Sequence, residues 1–408
     1  MIFEASSSLE PAVIQPSTHK LPVLPGDSGP ILDQESSPIR QSSPRQRSRH
    51  WARWNYLGIL AVRALRFPVT VYRARSGVVM PPRLLTHTVT FGCNAKCVMC
   101  DSWQLPTTGD LSHQEIERIY QQLPPMDAVR LTGGEPFVRP DLLDIYHSAI
   151  QYLRPLIVHV SSNGFLTQRI TTFCEHRDQT VPLELAISID GVDEFHNQIR
   201  GSQLAFRTAW KTLTELAVRQ NELNIRLTVN QTVVNDEGLE QYKVLSERLR
   251  PWNVEHHLIM AYAESATYSL ERERKIEQNG FTTFGQLTPN KVESVLKLAE
   301  QQARRLPWLR RKLRLHYLQG VAERILHGRS TEPRACQALH AHLRIFPNGD
   351  VPVCQFNSQT VGNLRQQSFA DVWSSALIAD QRRWVRGCNG CWAECEVAPN
   401  TIYTLDIR

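Results

Sequence analysis

Cys93, Cys97 and Cys100 stand in the run Phe91-Gly92-Cys93-Asn94-Ala95-Lys96-Cys97-Val98-Met99-Cys100, with gaps of three and two residues. Three thiolates at that spacing can wrap one cubane iron–sulfur cluster, which takes four cysteine ligands when fully protein-bound. With three, one iron stays open and can bind and activate a small molecule instead of only relaying electrons. The competing explanations are a structural zinc site, which needs four N or S ligands and finds no obvious fourth here, and a chance group of small buried hydrophobes. A second set, Cys336, Cys354, Cys388, Cys391 and Cys395, lies in the last stretch of the chain. The run 345–350 between the first two reads as a strand into a tight hairpin that presents both thiols together. This end of the chain is expected to be a small module held together by metal. Cys174, alone in a helical pattern, reads as a buried small residue.

Polar groups of the right type punctuate the elements that must position these thiols. Gly133-Gly134-Glu135-Pro136 follows an apolar run at 128–132. Its two glycines allow close backbone approach to a ligand, and Glu135 can accept from an ammonium. Ser162-Asn163-Gly164 and Ser188-Ile189-Asp190-Gly191 end two further runs and suit ribose hydroxyls and a carboxylate. Each, taken alone, also reads as a turn with local side-chain bonds to backbone. Strands are expected at 87–91, 128–132, 156–161, 183–189, 225–234 and 254–261. Helices are expected at 112–122, 141–152, 166–176, 202–219 and 239–249. Alternation at this spacing implies right-handed crossovers and a parallel sheet, open or a partial barrel, with the working residues at the strands' carboxyl ends.

The CxxxCxxC loop after a first strand, followed by Gly133–Pro136 after a second, resembles the signature of the radical S-adenosylmethionine (radical SAM) superfamily. The resemblance runs through Arg200 and, with the C-terminal cysteines, to about Cys395. It implies an α/β fold, a partial (β/α)6 barrel with a small cysteine-rich module resembling the SPASM or twitch auxiliary domain. It implies a [4Fe–4S] cluster on Cys93, Cys97 and Cys100, whose open iron binds S-adenosylmethionine. In this likeness Gly133, Gly134, Glu135 and Pro136 hold the methionine amino group. Ser162, Asn163, Ser188 and Asp190 serve the ribose and carboxylate, and Arg200 pairs with the carboxylate. Asn197 stands where the family usually shows Asp, and His196 is either a structural cap or a catalytic group. The full SPASM form has seven cysteines for two clusters. Five imply the shorter form with one auxiliary [4Fe–4S] cluster on Cys336, Cys354, Cys388 and Cys391, with Cys395 as an alternative ligand or spare thiol and a zinc knuckle as the competing reading. The implied activity is hydrogen abstraction from a peptide, a protein side chain or a small-molecule intermediate, with an electron donor such as flavodoxin or ferredoxin. The rivals are a non-catalytic iron–sulfur electron carrier and a membrane-surface enzyme acting on a lipid-linked substrate. Tyr262, Glu264, Asp236 and Glu237 are acid–base candidates only because they follow strand patterns.

Length and charge bound the rest. The 408 residues are 41% hydrophobic and 21% charged, enough to bury a sizeable core, and no apolar run reaches the roughly 18 residues of a membrane span. The net charge of +6 is misleading: 36–100 holds eleven Lys or Arg and no acid, so removing that +11 leaves the rest of the chain at −5. Nucleic acid therefore has no special claim. Residues 1–50, with ten Ser and seven Pro, are expected to be disordered. The basic stretch 51–84 follows, its 51–75 part expected to pack across the next domain with arginines in water or to touch an anionic membrane. A core is expected at 85–285, a basic helical connector at 286–330 and the cysteine module at 331–408. Clustered cysteines in odd number, with no secretory signal, point to a reducing cytoplasmic compartment.

Overall fold

In the computed structural model the described residues are 49–407, apart from 264, 272–274, 276–282, 330–335 and 389–390. The expected disorder of 1–50 therefore falls almost wholly outside them. One parallel sheet carries the site. Its strands are β1 (Leu84–Thr88), β2 (Ala128–Thr132), β3 (Ile157–Ser162), β4 (Leu183–Ser188), β5 (Ile225–Val233), β6 (Glu255–Met260) and β7 (His342–Ile345). They are ordered β6-β5-β4-β3-β2-β1-β7. Each of the first six lies beside its predecessor, the winding of a barrel, yet no ladder joins β6 to β7 among the described residues, so the barrel stays open.

The helices that return the chain are α1 (Arg49–Arg75), α2 (His113–Gln122), α3 (Leu142–Ser148), α4 (Thr167–His176), α5 (Asp193–Arg200), α6 (Ala205–Ala217) and α7 (Asp236–Leu249). Beyond the sixth strand come α8 (Pro289–Ala303), α9 (Trp308–His327), α10 (Phe369–Ser374), α11 (Ala376–Arg386) and α12 (Glu394–Thr404). Their starts follow ordinary capping chemistry. Ser112 and Glu115 form a reciprocal capping box on α2, and the Asn235 side chain accepts from Gly238 N to open α7. The sheet's outward side chains, among them Leu85, Val129, Leu131, Val158, Val160, Leu185 and Leu227, are buried with Ile116, Tyr120, Phe173 and Leu213 of the helices in one core, which also takes in Cys174.

Three differences from the sequence reading matter. The first strand is Leu84–Thr88, not 87–91: the buried Leu84-Leu85 pair sets its register against β2, while residue 89 continues the extended path through Val89 N to Thr132 O. The segment around 345 makes the expected tight turn, Phe346 N to Asp350 O at 2.8 Å, but forms no ladder with 350–354. It joins the main sheet parallel to β1 as β7, and the hairpin is the next one, β8 (Asp350–Cys354) with β9 (Asn357–Asn363). The connector's arginines are not simply solvated. Arg314 is buried on Glu394 at 2.6 Å and Arg310 pairs with Glu255.

The helix α1 lies across the amino-terminal ends of the strands. Arg63 is turned inward, donating to the Met126 and Arg154 carbonyls and pairing with Asp127 at 2.9 Å. Tyr56 donates to Leu156 O at 2.9 Å. Arg63→Ala would leave those carbonyls without their donor, a loss of about 2–4 kcal/mol expected from unmade buried bonds to a charged donor. A urea-unfolding series checks this; an unchanged midpoint would mean that water replaces the guanidinium at no cost.

Candidate active site

The cysteine loop leaves β1 and is clamped by backbone bonds from two sides. Gly134 N donates to Thr90 O at 2.9 Å and Glu135 N to Gly92 O at 2.8 Å. Lys96 N and Val98 N both donate at 3.0 Å, to Arg200 O and Ile199 O respectively. An N–H faces each of the three sulfurs: Ala95 N to Cys93 Sγ at 3.4 Å, Ser102 N to Cys100 Sγ at 3.5 Å and an Arg200 guanidinium nitrogen to Cys97 Sγ at 3.6 Å. Burial pushes all three thiols upward, Cys100 to about 12.

These thiols open into one cleft at the carboxyl ends of β1–β4, shared with Gly133, Gly134, Ser162, Asn163, Ser188 and Arg200. The cleft therefore gathers six of the nine residues expected to hold a cofactor. The other three lie behind its wall. Glu135 is 1% exposed and already holds three donors, Ser162 Oγ at 3.0 Å, Asn163 N at 2.6 Å and Phe137 N at 3.0 Å. Burial raises its carboxyl to about 7 against the pull of those bonds. Glu135, expected to receive an ammonium, braces this turn through those bonds, while Gly133 and Gly134 line the cleft. Pro136 is buried in the following 3-10 turn. Asp190, expected to serve the ribose and carboxylate, lies behind the same wall. It is 0% exposed, its oxygens taken by Arg200 at 2.6 and 3.0 Å and by Thr232 N at 3.0 Å.

Other roles resolve in the same way. Ser162 Oγ donates to Glu135 and accepts from Gly164 N, so it has no free proton for a ribose. Ser188 faces the cleft and makes no side-chain hydrogen bond among the described residues. His196 is buried, neutral, and accepts from Asp190 N at 2.9 Å, a positioning role. Asn197 accepts from Phe206 N at the start of α6 and donates to Glu194, two tasks that one amide performs and a carboxylate cannot. Asp236 binds Thr288, Glu237 is exposed, Tyr262 donates to Cys391 O, and Glu264 lies outside the described residues. Sequence reasoning missed Tyr268, which lines the cleft with its ring edge-on to Phe91 and its hydroxyl bonded to Thr132. A lone tyrosine in a loop carries no periodic signal.

The glycines are demanded by the loop itself. A Cβ on Gly134 would strike the carbonyl oxygens of Phe91 and Gly92, and one on Gly133 the Thr90 carbonyl. What approaches closely is thus backbone of the cysteine loop. Gly134→Ala is expected to displace that loop and strip iron from the first site only; full iron retention in the purified variant would show that the loop gives way without cost.

The second cysteine set gathers on the far side of β7. Cys354 ends β8, Cys388 follows α11 and Cys395 opens α12. Cys354 and Cys388 raise the Cys336 thiol, and Cys354 and Cys395 the Cys391 thiol, so Cys354 neighbours both Cys336 and Cys391. Cys395 Sγ receives Arg344 at 3.3 Å, which also binds Glu396 at 2.6 Å. Arg130, on the strand that ends in the Gly133 turn, donates to Cys395 O at 2.8 Å and ties the two cysteine sites together.

Residues 88–246 match the radical SAM superfamily, and residues 336–392 match an iron–sulfur cluster-binding domain of the SPASM type. This chain belongs to the radical SAM superfamily. It is 24% identical over 342 residues to an AdoMet-dependent heme synthase of Methanosarcina barkeri, covering 77% of this chain and 88% of that protein. It is 26% identical over 332 residues to the mycofactocin maturase MftC of Mycobacterium tuberculosis, covering 76% of this chain and 75% of that one. Among solved structures, Streptococcus suis SuiB bound to S-adenosylmethionine superposes with a TM-score of 0.53 at 14% identity, over 77% of this chain and 71% of that chain. The structural likeness shows the fold.

As a radical SAM enzyme the protein uses a [4Fe–4S] cluster, S-adenosylmethionine and an auxiliary iron–sulfur cluster. The residues present fit these groups. Three thiols with N–H donors on their sulfurs open onto a cleft with a free Ser188 hydroxyl. The buried Asn94 Nδ2 is left without a partner in the cysteine loop, and Arg200, paired with Asp190, presents its guanidinium at the cleft wall. Burial alone disfavours the thiolates, so iron must supply the charge that holds them ionised.

Proposed function

We propose that Cys93, Cys97 and Cys100 hold the cluster that, when bound, supplies the electron cleaving S-adenosylmethionine to methionine and a 5′-deoxyadenosyl radical, and that this radical takes hydrogen from a peptide or protein side chain or a small-molecule intermediate. The observation that carries the reading is the convergence of the three thiols, the Gly133-Gly134 backbone, Ser188 and Arg200 in one cleft. Arg200 binds and orients the amino-acid carboxylate, held in place by Asp190. The Gly133 and Gly134 backbone receives the ammonium, Ser188 takes a ribose hydroxyl, and Tyr268 and Trp103 exclude water from the open side. The second cysteine set, facing the cleft through Arg130 and Arg344, would take the electron left on the substrate. A one-electron donor such as flavodoxin or ferredoxin completes the cycle in a reducing compartment such as the cytoplasm.

One relative is named a heme synthase and another a maturase, so the proposal spans both substrate kinds. Anaerobic reconstitution with iron, sulfide, dithionite and S-adenosylmethionine tests it. 5′-Deoxyadenosine should accumulate; none above a protein-free control would leave the non-catalytic electron carrier standing.

A further inference from the structure

The helix α1 carries apolar side chains on both its inward and its outward face. Its inward stripe carries Tyr56, Arg63, Phe67, Thr70, Val71 and Ala74, positions that recur on one helical face, with Arg63 and Thr70 buried. Its outward face is apolar. Leu65 is 81% exposed, Tyr72 71% and Val69 55%, and Leu57, Leu60 and Val62 lie beside them. Val78 and Val79 extend the patch past the helix end. The charges on this outward side are basic: Arg66 and Arg73 are exposed, Arg75 turns back onto the Thr404 and Leu405 carbonyls, and 36–100 contains no acid at all. No helix of the described residues is long and apolar enough to cross a membrane.

We propose that this face docks on an anionic membrane surface. An apolar stripe bordered by arginines is the arrangement that lets a helix lie in the headgroup boundary, its side chains in the acyl edge and its cations on lipid phosphates. The choice of occupant follows from charge. A second copy would bring the same all-basic collar against itself in a two-fold contact, with no acid on either side to offset it. The rest of the chain, at net −5, is repelled by anionic lipid, so the attraction is confined to this end of the molecule.

Orientation follows from the packing. The inward contacts of α1 reach Met126, Asp127, Arg154 and Leu156, immediately before β2 and β3. The helix therefore covers the amino-terminal ends of the strands, whereas the cleft opens at their carboxyl ends. A docked enzyme turns its cleft away from the lipid. It would be tethered at the surface and act on a substrate reached from the water side, which counts against a lipid-linked substrate.

Vesicle binding is read without turnover, so its failure is separate from failure of the radical reading. The cluster-loaded full chain is floated with vesicles of phosphatidylcholine alone and of phosphatidylcholine with about 30% phosphatidylglycerol, at low and high salt. Binding is expected only to the anionic vesicles, weakened by salt, and reduced more than about tenfold in Leu65→Glu/Tyr72→Glu and in Arg66→Glu/Arg73→Glu, with 5′-deoxyadenosine formation unchanged in both. No flotation by the wild type, or equal flotation with both vesicles, overturns the proposal. So does a wild-type dimer by light scattering that the Leu65/Tyr72 variant dissociates, which would give the face to a second copy.

Discussion

Cys97→Ala is expected to reduce 5′-deoxyadenosine formation to background and to lower bound iron from about eight to about four per chain. The loop contributes three thiols and the described residues bring no further cysteine to the cleft, so removing one leaves two ligands for a cubane. Cys97 is the thiol that Arg200 touches, and its loss also removes one partner of a buried guanidinium. The auxiliary site should be unaffected, because its five cysteines lie on other elements. Iron analysis with electron paramagnetic resonance of the reduced variant reads the two sites separately. Eight irons retained in the variant would overturn the ligand assignment, and four irons with one zinc in the wild type would overturn the second cubane.

Asp190→Asn should be nearly as damaging by a different route. Asp190 touches neither the cleft nor a thiol, yet it holds Arg200 through two nitrogens at 2.6 and 3.0 Å in a fully buried pair. Its neutralisation leaves a buried guanidinium without a counter-charge, an expected loss of about 3–5 kcal/mol of stability. S-Adenosylmethionine affinity should fall as well, since Arg200 would be free to swing toward other acceptors. Equilibrium dialysis alongside urea unfolding distinguishes the two effects. Arg200→Lys is the companion variant: it keeps the charge and loses the planar two-nitrogen grip. If Asp190→Asn binds S-adenosylmethionine as tightly as the wild type, Arg200 does not owe its position to this carboxylate.

The sheet was legible because its strands are short apolar runs ended by glycine, serine or asparagine, and five of the six expected core strands lie within a residue or two of their places. The seventh was hidden. His342-Leu343-Arg344-Ile345 alternates like a hairpin strand, and its partner β1 lies more than 250 residues earlier, a pairing that local pattern does not carry. Within the site, thiol spacing identified the loop, since the chemistry needs those sulfurs on one turn. Spacing could not say whether a carboxylate faces the cleft or braces a neighbour. Glu135 and Asp190 have the right type and place for ligands, and in the fold both are spent on holding others: Glu135 on Ser162 and the Asn163 backbone, Asp190 on Arg200. Asn197 shows the reverse case, where a departure from the family's usual residue costs nothing because an amide suits the two bonds it makes.

The strand β7 also sets an order of events during synthesis. Until its residues have left the ribosome, β1 has a neighbour on one side only, and the loop bearing Cys93, Cys97 and Cys100 hangs from an unfinished sheet edge. Arg130 meanwhile lacks the Cys395 carbonyl that it bonds in the finished fold. A chain stopped at about residue 330 is therefore not a smaller enzyme but an incomplete one. The finished sheet edge and the second cysteine set both depend on residues beyond 330.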